Sequence, residues 1–454
     1  MTNDMAPETN PVSRKDGVAL SGAAKEGLNP FASSTVTEKL RAQQLDSPII
    51  LMVDLDSTFE DPNPANKPSV PEKIRAICEA LSIPVIAVTS RTEEMTFSSE
   101  DYEKTRNAGQ IARPMARLKQ VLGENGLRRF EPAPPETLDS YRGQLSFDAV
   151  AAQTGTVIYV RQSTGEYLKD RDYERGMDSE KWRSDVLEIV NKLIIDPENG
   201  EKLSTLSAIE DPKNYEAGEA DVWPPDWRIQ LDFKAENTHP SATGATDSGS
   251  GGVALTSEQA VAKKQEFLRR VNEYAAGKPL PFNVLDDSNP EEGRATVYIL
   301  RRRASKERAI NRMLGNIAAD LGRVQTELSP ICTGDSFTDL RDLIALHNNE
   351  NAVLLLVGDS RLTPVIEKAI RDKDADPRFA DERLRKLLKR LRTIAKGVHR
   401  LGNGPTLITG EKFEGTSRAE TILAYLLEKF KNLPDGGQAY KKAQSVLELP
   451  MMPK

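Results

Sequence analysis

Two aspartates one residue apart, Asp54 and Asp56, follow the apolar run Ile49-Ile-Leu-Met-Val53. A short run with no polar alternation predicts a strand buried on both faces. Carboxylates held close at the end of such a strand raise each other's pKa, because each disfavours the other's charge. A bound cation removes that difficulty. The pair therefore points to a metal-assisted site at the carboxyl end of a central parallel strand.

The elements that must position such a site are legible along the chain. Pro84–Val88 is a second buried run, ending in Thr89-Ser90-Arg91, and the helical stretch Pro71–Leu81 lies between the two runs. Phe147–Ala152 and Thr156–Val160 read as strands joined by Gln153-Thr154-Gly155. Ser305–Leu321 places Ala309, Ile310, Met313, Leu314, Ile317, Ala318 and Leu321 on one helical face. Ile331–Thr333 runs into Gly334-Asp335, and Val353–Val357 into Gly358-Asp359. Buried strands ending in small or polar residues, with helices between them, form the α/β pattern, in which ligands bind at the carboxyl ends of the strands.

Between about 165 and 295 the character changes. All three tryptophans, Trp182, Trp223 and Trp227, fall there. Trp227–Phe233 alternates like a half-exposed strand, and Thr238–Thr256 is rich in Gly, Ser, Thr and Ala and reads as a flexible insertion before a helix over Ser257–Ala276. Thr296–Leu300 is a further strand. The basic stretch Arg383–Arg400 reads as a solvated helix face, and Ser417–Phe430 as a closing helix.

Composition narrows the class. The chain has 454 residues, a formal net charge of -7 and 29% charged residues, which gives no support to bulk nucleic-acid binding. Cys78 and Cys332 cannot make a disulfide framework and fit a reducing cytoplasm. His239, His347 and His399 are too dispersed in sequence for a histidine-rich zinc site. No apolar run is long enough to span a bilayer, and the N-terminus lacks a signal-peptide core.

Taken in order, Asp54-Leu-Asp56-Ser-Thr58, Thr89-Ser90-Arg91, Lys306 and Gly334-Asp335-Ser-Phe-Thr338-Asp339 resemble the four motifs of the haloacid dehalogenase-like phosphatase superfamily. The resemblance covers about residues 47–165 and 295–430. The long insertion between the second and third motifs resembles a type 2 cap. Thr154-Gly155-Thr156 and Ala304-Ser305-Lys306-Glu-Arg-Ala309 resemble the branch that holds sucrose-phosphate phosphatase, trehalose-phosphate phosphatase and the Cof-type sugar phosphatases. Thr338 departs from the Asn common in that branch.

The resemblance implies a Rossmann-like three-layer parallel-sheet core with an inserted α/β cap. Composition, rich in Asn, Pro, Ser, Thr, Gly and charge, gives a disordered leader over 1–46; with the resemblance, the divisions are then a core over 47–165 and 295–440, a cap over 166–294 holding the flexible stretch at 238–256, and a tail over 441–454. The resemblance also implies a cytoplasmic, Mg²⁺-dependent phosphatase acting on a small phosphorylated metabolite, a sugar phosphate in this branch. Asp54 would be the nucleophile and Asp56 the acid and base. Mg²⁺ would be held by Asp54, the backbone carbonyl of Asp56, and Asp335, with Asp339 directly or through water. Ser90 and Lys306 would bind the phosphate. A cation in the first turn of a helix opposes the macrodipole by roughly 0.3–1 kcal/mol, and a phosphate there would offset this.

Blander readings stand beside these. Ser90, Asp335 and Asp339 could cap helices, and Lys306 could be a solvated lysine among Arg301, Arg302, Arg303, Glu307 and Arg308. For Asp359 a capping role is the better reading, for the tryptophans core packing, for Arg228 a surface role, and Arg91 receives none. A phosphotransferase or phosphomutase could use the same aspartyl-phosphate chemistry, and a non-catalytic regulatory module could keep the same fold.

Overall fold

Strands without a polar face must be covered on both sides, and this requirement organises the molecule. The computed structural model describes residues 29–59, 70–91, 96–107, 146–177, 182–195, 203, 205–206, 228–233, 257–278, 280–286, 295–336, 339–357, 382–413, 418–435 and 437–448. Its strands are β1 (Ile49–Val53), β2 (Val85–Val88), β3 (Ala149–Ala152), β4 (Val157–Arg161), β5 (Tyr167–Lys169), β6 (Thr205–Leu206), β7 (Arg228–Asp232), β8 (Phe282–Asp286), β9 (Thr296–Arg301), β10 (Ser329–Gly334), β11 (Val353–Leu356), β12 (Arg392–Ala395), β13 (Val398–Arg400) and β14 (Thr406–Thr409).

Ten of them form one sheet in the order β12-β13-β14-β11-β10-β1-β2-β3-β4-β5. The run from β14 to β3 is parallel, and antiparallel strands extend it at both ends. Alternate residues of the central strands enter separate cores. Ile50, Met52, Ile86 and Leu354 meet Ile310, Met313, Leu314 and Ile317 of the Lys306–Asp320 helix. Ile49, Leu51, Val53, Val85 and Leu355 meet Ile74 and Ile77 of the Val70–Ala80 helix and Ile422 and Leu426 of the Arg418–Lys431 helix. This is a three-layer, Rossmann-like α/β fold, as the strand pattern predicts.

A second, four-stranded antiparallel sheet has the order β6-β7-β9-β8. The Trp182–Ile194 and Ser257–Gly277 helices share its core, through Val186, Val190 and Phe267 against Ile229, Leu231, Val297 and Ile299. Trp182 is buried in this core with the Arg301 guanidinium 5.6 Å over its ring, which is the packing role expected of it. Trp223, Trp227 and the Thr238–Thr256 stretch lie outside the described residues.

Several expectations are corrected. Order begins well before residue 47: Thr35–Gln43 is a helix capped by Ser34, with Phe31, Val36 and Leu40 buried in the first core. Its apolar positions are few, which hides it among the surrounding polar residues. β9 pairs in the second sheet, whereas β5 and the short Arg171–Arg175 helix pack with the first, so the two sheets exchange chain nearer 177 and 301 than 166 and 294. The basic stretch is only half helical. Glu382–Leu388 is a helix, and Thr393 and Ile394 then enter the β12–β13 hairpin, turned at Gly397 with φ 68. Gln438–Glu448, across the expected start of the tail at 441, forms a helix with Ala443 buried in the second face's core.

No described helix is long and apolar enough to cross a membrane. Cys78 and Cys332 are buried thiols. Because Leu40 fills the core, Leu40→Ala is expected to lower the unfolding free energy by about 2–4 kcal/mol. Urea titration measures this, and a loss near zero would place the Thr35–Gln43 helix outside the core.

Candidate active site

The chain leaves β1 toward β2 and β3 on one side and returns at β10 to build β11 and β14 on the other. The carboxyl ends of β1 and β10 therefore flank a topological switch point, where open α/β sheets bind ligands. Val53 and Thr333 are in register, and the Asp54 amide donates to the Thr333 carbonyl at 3.2 Å. Asp54 and the Gly334-Asp335 loop thus start from the same level of adjacent strands.

Gly334 lets that loop fold back. A Cβ there would sit 2.3 Å from the Asp339 Cβ, so only glycine fits. Asp339 is fully buried beneath the loop. Its Oδ2 accepts from the amides of Asp335 (3.1 Å) and Ser336 (3.0 Å) and from the Ser336 hydroxyl (2.8 Å). Its Oδ1 accepts from Lys306 Nζ at 2.8 Å.

Lys306 is the first residue of its helix, behind the Ser305 cap, which accepts from the Arg308 amide. Its ammonium lies 3.0 Å from Asp54 Oδ1 as well as on Asp339. It is therefore not a solvated surface lysine. Two buried aspartates compensate a cation that the helix dipole disfavours.

Asp54, Asp335 and Asp339 each bring a carboxylate oxygen within 4.8 Å of the other two. Burial, opposed by Lys306 and reinforced by Asp339 and Asp335, pushes Asp54 up to about 8. Burial and Asp339 push Asp335 up to about 6, against the pull of Arg418 and Lys306. Burial works against the Lys306 charge, yet Asp339 and Asp54 outweigh it and hold the ammonium pKa well above its ordinary value. Asp54 Oδ1, although within ion-pair reach of Lys306, has no aligned hydrogen bond among the described residues. A buried carboxylate oxygen paired with one ammonium but without an aligned hydrogen bond among the described residues, in a cluster of hard oxygen ligands, fits a small divalent cation such as Mg²⁺.

Asp56 lies on the wide, π-helical Leu55–Phe59 turn that follows β1, pinned by the buried Leu55 and Phe59; its side chain lies outside the described residues. Ser90 follows β2, three residues past Ala87, itself the register partner of Val53. It is half-buried over the same edge of the sheet, and no described hydrogen bond joins it to the aspartates. The structure thus gathers Asp54, Lys306, Asp335 and Asp339 and places Ser90 past the end of the strand next to β1. Thr338, Asp359 and the Arg228 side chain lie outside the described residues.

Sequence reading missed three neighbours. Asp342 is buried, with Oδ1 unpartnered among the described residues, and burial and Asp339 hold its pKa well above the usual range. Glu307, next to Lys306, pairs with Arg341 at 2.9 Å. Arg418, in the first turn of its helix, lies 3.4 Å from Asp335. The clustering of Asp339, Arg341 and Asp342 was the available signal for the first two; Arg418 had none.

No family model matches the chain, and no curated protein matches it. Several solved structures are similar to it. The sucrose-phosphatase of Synechocystis sp. PCC6803 is 14% identical, with 84% of this chain and 97% of that one covered and a TM-score of 0.37. The trehalose-6-phosphate phosphatase of Aspergillus fumigatus is 11% identical, with 72% and 87% covered and a TM-score of 0.35. A C-terminally truncated Plasmodium falciparum IMP-nucleotidase is 11% identical, with 65% and 64% covered and a TM-score of 0.33. Others are haloacid dehalogenase-like hydrolases, among them a subclass IIB sugar phosphatase at 12% identity and a TM-score of 0.31. Many of the solved structures this chain resembles are members of the haloacid dehalogenase superfamily, at low identity and low TM-score.

Proposed function

We propose that this chain is a haloacid dehalogenase-type phosphoric monoester hydrolase, with Asp54 as its nucleophile. One observation supports this above the others. A buried lysine is held between Asp54 and Asp339 at the switch point of a parallel sheet, and the Asp54 oxygen it meets has no aligned hydrogen bond among the described residues. A purely structural ion pair gains nothing from crowding a third carboxylate, Asp335, into the same space.

In this reading Asp54 attacks the phosphorus of a phosphate ester. The Asp54 oxygen–phosphorus bond forms as the ester oxygen–phosphorus bond breaks, and Asp56 gives its proton to the departing alkoxide. Asp56 then takes a proton from water, whose oxygen attacks the aspartyl-phosphate and releases inorganic phosphate and the free Asp54 carboxylate. Lys306 neutralises charge on the phosphoryl oxygens, and Ser90 donates to one of them. Mg²⁺ would be held by Asp54, Asp335 and the Asp56 carbonyl, and when bound it supplies the positive charge that keeps Asp54 ionised and offsets its repulsion by the phosphate. Asp339, whose oxygens already accept four donors from Asp335, Ser336 and Lys306, orders the loop and the lysine from behind.

The second sheet would act as a cap over the strand ends, selecting the substrate and excluding water. For the substrate we favour a sugar phosphate, on the branch-like run Ala304–Ala309 and the Thr154-Gly155-Thr156 turn. A panel of phosphate esters, including sucrose, trehalose and hexose phosphates, tests that choice, and preference for a nucleotide would replace it.

Asp54→Asn is expected to bring Mg²⁺-dependent phosphate release to the no-enzyme baseline, and Lys306→Ala to lower kcat by roughly 10²–10³-fold. Unchanged release in Asp54→Asn would remove the nucleophile from the account.

Metal and pH are linked. The folded pKa of Asp54, about 8, exceeds the ordinary value of 3.8. The folded state therefore binds the proton more tightly, and stability from this group is full below the ordinary value and lost as pH rises toward 8. In chelator, the Tm is expected to fall between pH 5 and 8. Mg²⁺ is expected to raise the Tm more at pH 8 than at pH 5, and Asp54→Asn to flatten both trends. A Mg²⁺ effect independent of pH in thermal-shift measurements would contradict a cation at Asp54.

A further inference from the structure

The connection between β3 and β4 is strained in a way that secondary structure alone does not require. Gln153, Thr154 and Gly155 are consecutive residues in the left-handed region, with φ of 55, 54 and 77. Thr154, which is β-branched, is a poor occupant of that region, and consecutive left-handed residues are rare for L-amino acids. Such strain persists only where the surroundings over-determine the backbone, and it clusters at functional sites.

The surroundings here are specific. The Gln153 amide donates to the Arg91 carbonyl at 2.8 Å, and the Thr154 amide to the Thr89 carbonyl at 3.0 Å. These two bonds bracket Ser90 from either side. On the other flank, a Cβ on Gly155 would lie 2.3 Å from the Ser305 carbonyl oxygen and 3.0 Å from the Ala309 Cβ. Gly155 therefore lets the start of the Lys306 helix seat directly on the turn. The Tyr173 hydroxyl donates to the Gly155 carbonyl at 2.7 Å, and the Thr156 hydroxyl to the Gln153 carbonyl at 2.7 Å, closing the turn from below.

We infer that the Gln153-Thr154-Gly155 turn is a positioning clamp that sets Ser90 and Lys306 at a fixed separation, so that both can meet one phosphate. The inference rests on the phosphatase reading of the site. Gly155, Thr154 and Tyr173 act through Ser90 and Lys306 and are positioning residues.

The test compares Gly155→Ala, Tyr173→Phe and a control, Ile317→Ala, about three turns further along the Lys306 helix. The readouts are kcat, KM, the inhibition constant of inorganic phosphate and the Tm. Gly155→Ala is expected to lower kcat/KM by ~10–100-fold and to weaken phosphate inhibition about tenfold, as misplacement of binding groups does. Tyr173→Phe, which keeps the ring packing, is expected to lose roughly 3- to 10-fold. Ile317→Ala is expected to lower the Tm with kcat/KM intact. The inference is overturned if Gly155→Ala and Tyr173→Phe keep wild-type kinetics and phosphate inhibition, or if activity in all variants simply follows the Tm. Should Gly155→Ala not fold, Tyr173→Phe against Ile317→Ala decides. A wild-type protein without Asp54-dependent turnover would count against the phosphatase reading instead. Calorimetric binding of inorganic phosphate to wild type and Tyr173→Phe then decides the clamp, with equal affinities, or no binding by either, overturning it.

Discussion

Everything in this fold is arranged around buried negative charge that a dry protein interior does not tolerate. Asp54, Asp335 and Asp339 converge at the switch point of the sheet with Lys306 as the cation among them. Lys306, with Arg418 beside Asp335, does not offset the burial of three carboxylates, and burial first, then their mutual repulsion, raises the pKa values of Asp54 and Asp335. Protons or a metal cation would relieve that cost. A phosphatase needs that kind of site, because the missing positive charge is what a divalent cation brings to a phosphate.

The sheet makes the convergence possible. Parallel strands running in register from β14 to β3 present their carboxyl ends on one edge. β1 and β10 are adjacent in space and far apart in the chain, so Asp54 and Asp335 meet without any local sequence linking them. Gly334 removes the side chain that would keep Asp339 away, and Gly155 removes the one that would keep the Lys306 helix away. Two glycines thus admit two close approaches. In the proposed reading the covalent step is assigned to Asp54, while the close approaches depend on backbone positions that carry no chemistry.

Much of this was legible in the residues. β1 emerges where an unbroken apolar run predicts it, and the Lys306 helix follows its 3.6-residue apolar stripe to within a residue at each end. Paired aspartates after a buried strand report their own electrostatic problem, which is why Asp54 could be singled out. Other elements carried weaker signals. Thr35–Gln43 and Gln438–Glu448 bury narrow faces within polar sequence. In Arg383–Arg400 the charge masked a turn at Gly397 that converts helix to hairpin. Thr296–Arg301 reads as a buried strand whichever sheet receives it, so periodicity could not assign its partner. Asp342 lies three residues from Asp339 and was signalled by that acidic cluster, whereas Arg418 joins the site only through a tertiary contact between segments distant in sequence. The left-handed run at Gln153–Gly155 was signalled by one glycine, whereas its strain at Gln153 and Thr154 is visible only in the backbone.

The central claim is that Asp54 becomes covalently phosphorylated. The most direct measurement is acid-quenched mass spectrometry of the Asp56→Asn variant mixed with Mg²⁺ and a turned-over phosphate ester, followed by peptide mapping. The account predicts one added phosphoryl group on the peptide bearing Asp54, sensitive to hydroxylamine and absent from the Asp54→Asn, Asp56→Asn double variant. A turned-over substrate with no phosphoryl group on that peptide, or with one on a different residue, would contradict it.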